Sequence, residues 1–159
     1  MEDDKKYLKG TTTVGIVCKD GIVLGADMRA TAGNLIVNKE TEKVVRITDN
    51  IIVTMAGTVS DAQLLCKYLS AELNLMKIRN NHEPTVKEAA NLMSSFVYGN
   101  IRKMSMIPGV AHFLMAGKDN SGYYLYDIFA DGSLTEENKF VTSGSGSVFA
   151  LGVLESTYK

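Results

Sequence analysis

The chain has 159 residues, 45% of them apolar, with 17 Lys plus Arg against 18 Asp plus Glu and a formal net charge of -1. That mass is enough for one domain with a buried core, and the balanced, scattered charges leave no basic footprint for nucleic acid. No apolar run is long enough to span a membrane, and the leader MEDDKKYLKG lacks the apolar stretch of a secretory signal, so a cytoplasmic protein is expected.

After the leader, residues 12–18 alternate in apolar character, Asp20 and Gly21 supply a hairpin turn, and residues 22–26 form the return strand. A short strand is expected at 35–38. Residues 43–47 and 51–56, joined through Asp49 and Asn50, make a second hairpin that extends an antiparallel sheet. Past Gly57 the period lengthens. Ser60 is positioned to cap a helix whose apolar residues Ala62, Leu65, Cys66, Leu69, Leu73 and Met76 recur every three or four positions. The polar run Asn80, Asn81, His82 ends it, and Pro84 and Thr85 begin another helix, with Val86, Ala89, Ala90, Met93, Phe96, Val97 and Ile101 on one stripe. Pro108 and Gly109 break that pattern. Strands at 110–116 and 123–130, either side of a turn at 119–122, indicate a second sheet. Asp131 and Gly132 turn the chain toward a short strand near 139–142, and SGSGS at 143–147 leads into an apolar helical segment at 148–154. This order describes an α+β domain with helices segregated outside two antiparallel sheets.

Cys18 and Cys66 are the only cysteines, and both read as reduced core thiols rather than a disulfide. His82 reads as a solvated loop residue, and His112 alternates with apolar neighbours in a strand. No spacing of ligands suggests a metal, and no cofactor is implied.

The three consecutive threonines Thr11, Thr12 and Thr13 invite a chemical reading. A threonine hydroxyl within a chain needs a separate base, whereas a threonine at a free terminus carries its own, because the α-amine can take the hydroxyl proton directly or through one water. The α-amine pKa of about 7.7 to 8.0 leaves a usable unprotonated fraction near neutrality. Thr11 acquires that amine only if the Gly10–Thr11 bond is cut, which would make residues 1–10 a removable cover. Taken alone, the same residues also read as a tail entering a threonine-rich strand.

The stretch TTTVGIVCKDGIVLGADMRATAGNLIVNKETEKVVRI, followed by TMAGTVSDAQLLCKYL and SGSGSVFALGVLES in that order around two helices, resembles proteasome β subunits. The resemblance is to the archaeal type and the eukaryotic chymotrypsin-like β subunit, and it runs from Thr11 to Lys159. The simpler bacterial two-ring threonine peptidase is a second relative, distinguished by GADMRAT at 25–31 in place of a GDGQV-like segment. The resemblance implies a four-layer αββα sandwich, the N-terminal nucleophile hydrolase fold, with a propeptide at 1–10 and one catalytic domain at 11–159. It places the nucleophile on Thr11, an orienting acid on Asp27, a lysine on Lys43, an oxyanion-binding backbone N–H on Gly57 and a supporting serine on Ser145. Autocatalytic cleavage falls between Gly10 and Thr11. It also implies main-chain pairing of the substrate with Thr31, Gly57 and Val59. A specificity pocket is implied from Ala30, Thr41, Val45, Met55, Val59 and Gln63, whose small and apolar walls predict a chymotrypsin-like preference.

Implied partners are proteasome α subunits and other β subunits in stacked heptameric rings, unfolded polypeptide substrates and a regulatory ATPase. The leader makes this sequence a precursor, inactive until cleaved. The chain also stops before the later helices, strands and supporting Asp and Ser of that family, so a C-terminally incomplete sequence is expected. A structural ring subunit that keeps its leader and lacks activity is the competing reading.

Overall fold

The computed structural model describes residues 10–28, 30–32, 35–38 and 41–159. Leader residues 1–9 lie outside the described residues, as do the side chains of 30–32 and 35–38, which include those of the expected pocket residue Ala30 and the expected substrate-pairing residue Thr31.

The chain opens with a hairpin, β1 (Thr13–Cys18) and β2 (Gly21–Ala26), closed by a tight turn at Lys19 and Asp20. A small hairpin follows, β3 (Ala30–Ala32) with β4 (Leu35–Asn38), then β5 (Val44–Arg46) and β6 (Ile51–Gly57). Two long helices, α1 (Val59–Asn80) and α2 (Val86–Arg102), precede β7 (Ala111–Asp119), β8 (Gly122–Ile128), β9 (Leu134–Glu137) and β10 (Phe140–Ser143), and α3 (Ser147–Thr157) closes the order. Pairing is antiparallel throughout, giving a three-stranded sheet in the order β10-β1-β2 and a five-stranded sheet in the order β5-β6-β7-β8-β9.

Two sheets flanked by helices agree with the expected α+β sandwich, but the strands are shared between them differently. The second hairpin does not extend the first. It joins the strands that follow the helices, and β10 returns to pair with β1. The cause is the two-residue period of β6: Ile51, Val53 and Met55 all face the helices and need a partner strand that presents the same apolar face. Strand β7 meets that need with Ala111, Phe113 and Met115, and β8 continues it with Tyr126 and Ile128. Against this surface pack Ala62, Leu65, Leu69 and Leu73 of α1 and Val86, Ala89, Ala90, Met93 and Val97 of α2, the stripes that the helical spacing predicts. The opposite faces of the two sheets meet each other, so closely that a methyl on Gly15 would sit 2.8 Å from Leu125 Cδ1. Helix α3 lies against β10 and β1 as the remaining outer layer.

Three local expectations are corrected. Ser60 does not cap α1; the N-cap is Thr58, because the chain leaves β6 through Gly57 at φ +107° and the Thr58 N–H is tied to Val110 O at 2.7 Å, starting the helix two residues earlier. Strands β3 and β9 were not expected, being short and, in β9, acidic. Cys18 is exposed at the end of β1, whereas Cys66 is buried in the core, where loss of solvent pushes its thiol up to about 12. The start of α2 follows expectation: Thr85 and Glu88 form a reciprocal capping box.

Candidate functional site

Hairpin register builds the site. Thr13 pairs with Ala26, so Thr12 and Asp27 sit side by side just beyond the strand ends. The Asp27 N–H donates to Thr12 O at 3.1 Å, and the Thr12 N–H donates to Asp27 Oδ1 at 2.9 Å. A third segment arrives just before β5, where Lys43 O accepts the Met55 N–H at 2.8 Å, which anchors the lysine backbone to β6. Its side chain is 5% exposed, and Nζ donates to both Asp27 oxygens at 3.0 Å and to Thr11 Oγ1 at 3.2 Å. Three oxygen acceptors thus match the three ammonium donors. A cation taken so far from water requires such compensation, and the Asp27 carboxylate, 33% exposed, supplies it.

The loop after β10 holds Thr11 from the other side. The Thr11 N–H donates to Ser145 Oγ at 3.1 Å, and the Gly146 N–H donates to Thr11 O at 3.1 Å. Gly144, at φ +88°, lies so close that an added Cβ would be 2.1 Å from Thr11 O. Gly57 has the same character: a Cβ there would meet Val110 O at 2.2 Å. Gly10, Thr11, Gly57, His112, Ser143 and Ser145 line one cavity of about 490 Å³. The structure therefore brings Thr11, Asp27, Lys43 and Ser145 into direct contact and sets Gly57 across the same hollow.

A second cavity, of about 590 Å³, is lined by four of the expected pocket residues, Thr41, Val45, Met55 and Gln63, together with Ile47, Cys66 and others. Met55 is at once its wall and part of the buried core. Val59 opens α1 outside that lining, and Thr31 pairs with Ile36 in the β3–β4 hairpin.

Sequence reasoning missed one feature. His112, expected only as a strand residue among apolar neighbours, donates or accepts at both ring nitrogens: Nδ1 meets Ser143 Oγ at 2.7 Å and Nε2 meets Asp127 Oδ1 at 2.5 Å. The available signal was a polar residue recurring at sheet-facing positions of two otherwise apolar strands, AHFLMAG and YYLYDI.

The family model described as proteasome subunit matches residues 7–159. Among curated relatives, the proteasome subunit beta of Methanococcus aeolicus is 46% identical over 156 residues, covering 98% of this chain and 70% of its own length. That of Methanosarcina barkeri is 45% identical over 157 residues, covering 99% and 72%, and that of Ferroglobus placidus is 44% identical over 154 residues, covering 97% and 71%. With the family model and these relatives matching nearly its whole length, this chain belongs to the proteasome β subunit family.

Proposed function

We propose that the chain is a catalytic proteasome subunit, a threonine endopeptidase that acts after removal of residues 1–10. The observation that carries this reading is the Lys43 ammonium, nearly buried, within hydrogen-bond reach of the Thr11 hydroxyl and both oxygens of Asp27. A structural residue set has no use for a desolvated cation aimed at a hydroxyl, whereas a nucleophile does, because positive charge favours the alkoxide that attacks.

In this reading the leader leaves when Thr11 Oγ1 attacks the Gly10 carbonyl carbon, the acyl group passes from nitrogen to oxygen, and water hydrolyses the resulting ester. The freed α-amine then takes the Oγ1 proton as the hydroxyl oxygen attacks a substrate carbonyl. The Gly57 backbone N–H stabilises the oxyanion, a task suited to a fixed main-chain donor. Collapse expels the leaving amine, which receives the proton held by the α-amine, and water attacks the ester to regenerate Thr11. Asp27 pairs with Lys43 and orients it, and Ser145 holds the terminal nitrogen in place.

The substrates proposed are unfolded polypeptides, paired through main-chain groups at Thr31, Gly57 and Val59 and therefore accepted with broad sequence tolerance. The cavity with Val45 and Met55 in its wall supports a preference for large apolar residues before the scissile bond. A protease of such loose specificity requires enclosure, so we place it in stacked heptameric β rings capped by α rings in the cytoplasm, fed by a regulatory ATPase. Intact-mass measurement after co-assembly with α subunits tests the reading. Loss of residues 1–10 together with the onset of peptide hydrolysis is expected; a particle that stays full length and inactive identifies the chain as a wall subunit instead.

A further inference from the structure

We infer that Asp127, His112 and Ser143 form a positioning relay that pins the Thr11-holding loop across the two sheets. The inference deepens the threonine peptidase reading and rests on it. His112 stands on β7 in the five-stranded sheet and Asp127 on the neighbouring β8, where the register sets Asp127 opposite Leu114 and therefore diagonal to His112. Ser143 belongs to β10 in the other sheet. The histidine thus links the two sheets through polar side chains.

Each member is held. Asp127 is 22% and His112 14% exposed, Ser143 is 2% exposed, and the Phe129 ring packs edge-on against the imidazole at 4.9 Å. In the neutral ring, Nε2 faces the carboxylate and carries the proton, which leaves Nδ1 to accept the Ser143 hydroxyl proton. Ser143 has no competing partner in its strand neighbour: Thr13, opposite it in the register, is fully buried with its hydroxyl making no hydrogen bond among the described residues. Directly after Ser143 come Gly144, in van der Waals proximity to Thr11 O, and Ser145, which accepts the Thr11 N–H. Fixing the Ser143 side chain therefore fixes the start of the turn that sets where Thr11 points. The serine does not act as a second nucleophile, since its oxygen is enclosed and engaged. His112 and Asp127 act through it.

The test uses the co-assembled particle with its leader removed and a fluorogenic peptide. Ser143→Ala is expected to lower kcat about 10-fold or more with KM within about twofold, the signature of a misplaced nucleophile rather than weakened binding. Ser143→Thr, which restores a hydroxyl, is expected to recover most of that loss. His112→Phe, which keeps the ring's bulk without its nitrogens, should match Ser143→Ala, and the double variant should be no worse than either single because the residues act as a unit. Parental kcat in Ser143→Ala, equal losses in Ser143→Ala and Ser143→Thr, or multiplying losses in the double variant would each overturn the relay. If His112→Phe does not assemble, the alanine and threonine variants at 143 still decide. Thr11→Ala separates the two claims. An inactive Thr11→Ala with a fully active Ser143→Ala sinks the relay alone, whereas an active Thr11→Ala sinks the threonine reading and the relay with it.

Discussion

Gly144 stands at φ +88° in the turn between β10 and α3, with room for a hydrogen and nothing larger. In Gly144→Ala the new methyl would lie 2.1 Å from Thr11 O, 2.7 Å from its carbonyl carbon and 3.2 Å from Thr11 Cβ. Restoring an ordinary contact of about 3.4 Å moves one partner by at least about 1 Å. The left-handed backbone itself costs an alanine about 1–2 kcal/mol, and forcing a group into packed surroundings costs about 1–3 kcal/mol, so a loss of about 2–5 kcal/mol in stability is expected. The larger consequence is catalytic, because a displacement of about 1 Å at the reacting group is worth on the order of 100-fold in rate. The assay is kcat for a fluorogenic peptide in the assembled particle, with leader removal followed by mass. The comparison variant is Gly99→Ala, at an exposed helical position where the new methyl meets nothing within 4 Å; it should keep parental activity and gain about 0.5–1 kcal/mol. A folded Gly144→Ala particle with kcat within twofold of the parent would refute the claim that this loop holds the nucleophile in place.

Other expectations follow from the same structure. Native chain treated with iodoacetamide at pH 8 should take one label, on exposed Cys18, and two after denaturation; rapid native labelling of Cys66 would contradict its burial. Because the folded state holds the Cys66 proton up to about 12 against an ordinary value of 9.0, it binds more protons than the unfolded chain across that interval, so this thiol lowers stability as pH rises from about 9 toward 12. Cys66→Ala should make the slope shallower without abolishing it, since burial also holds the Tyr126 hydroxyl up to about 12. Thr85→Ala removes the side-chain half of the α2 capping box, the acceptor for the Glu88 N–H, while the backbone N–H of residue 85 can still donate to Glu88; it should cost about 1 kcal/mol in chemical denaturation, with no loss expected from the neighbouring exposed Lys87→Ala. Assembled, processed particles should cleave after Leu or Tyr at least about 10-fold faster than after Arg, since a cationic side chain would be desolvated against Met55 and Val45; a preference for Arg would remove the pocket assignment.

Legibility in the sequence followed the range of the forces involved. The first hairpin and both long helices depend on local period and turn chemistry, and residues such as Asp20, Thr85 and the leucines of α1 announce them. The division of strands between sheets is set by which faces the helices must cover, so residues 51–57 had to await residues 111–128 for a partner. Strand β9, LTEE, carries no apolar alternation because it is an edge, paired on one side only, with β8. Thr11, Asp27 and Lys43 stood out through resemblance; the hairpin register then explains why Asp27 lies beside Thr12, and the backbone bond to Met55 explains how Lys43, 16 residues from Asp27 and 32 from Thr11, reaches both. His112 and Asp127 gave only the weak signal of polarity in apolar strands. Their meaning depends on Ser143 arriving from the opposite sheet, which no local pattern encodes.

The account turns on a single nitrogen, that of Thr11, becoming a free amine that serves its own hydroxyl. The most direct measurement is peptide hydrolysis by the assembled, processed particle before and after selective acetylation of that amine, with the modification verified by intact mass. The account predicts that activity falls in proportion to the fraction of Thr11 acetylated and that Thr11→Ala particles have none to lose. Full hydrolysis by chains whose Thr11 nitrogen is acylated, whether by acetate or by the uncut leader, would contradict it.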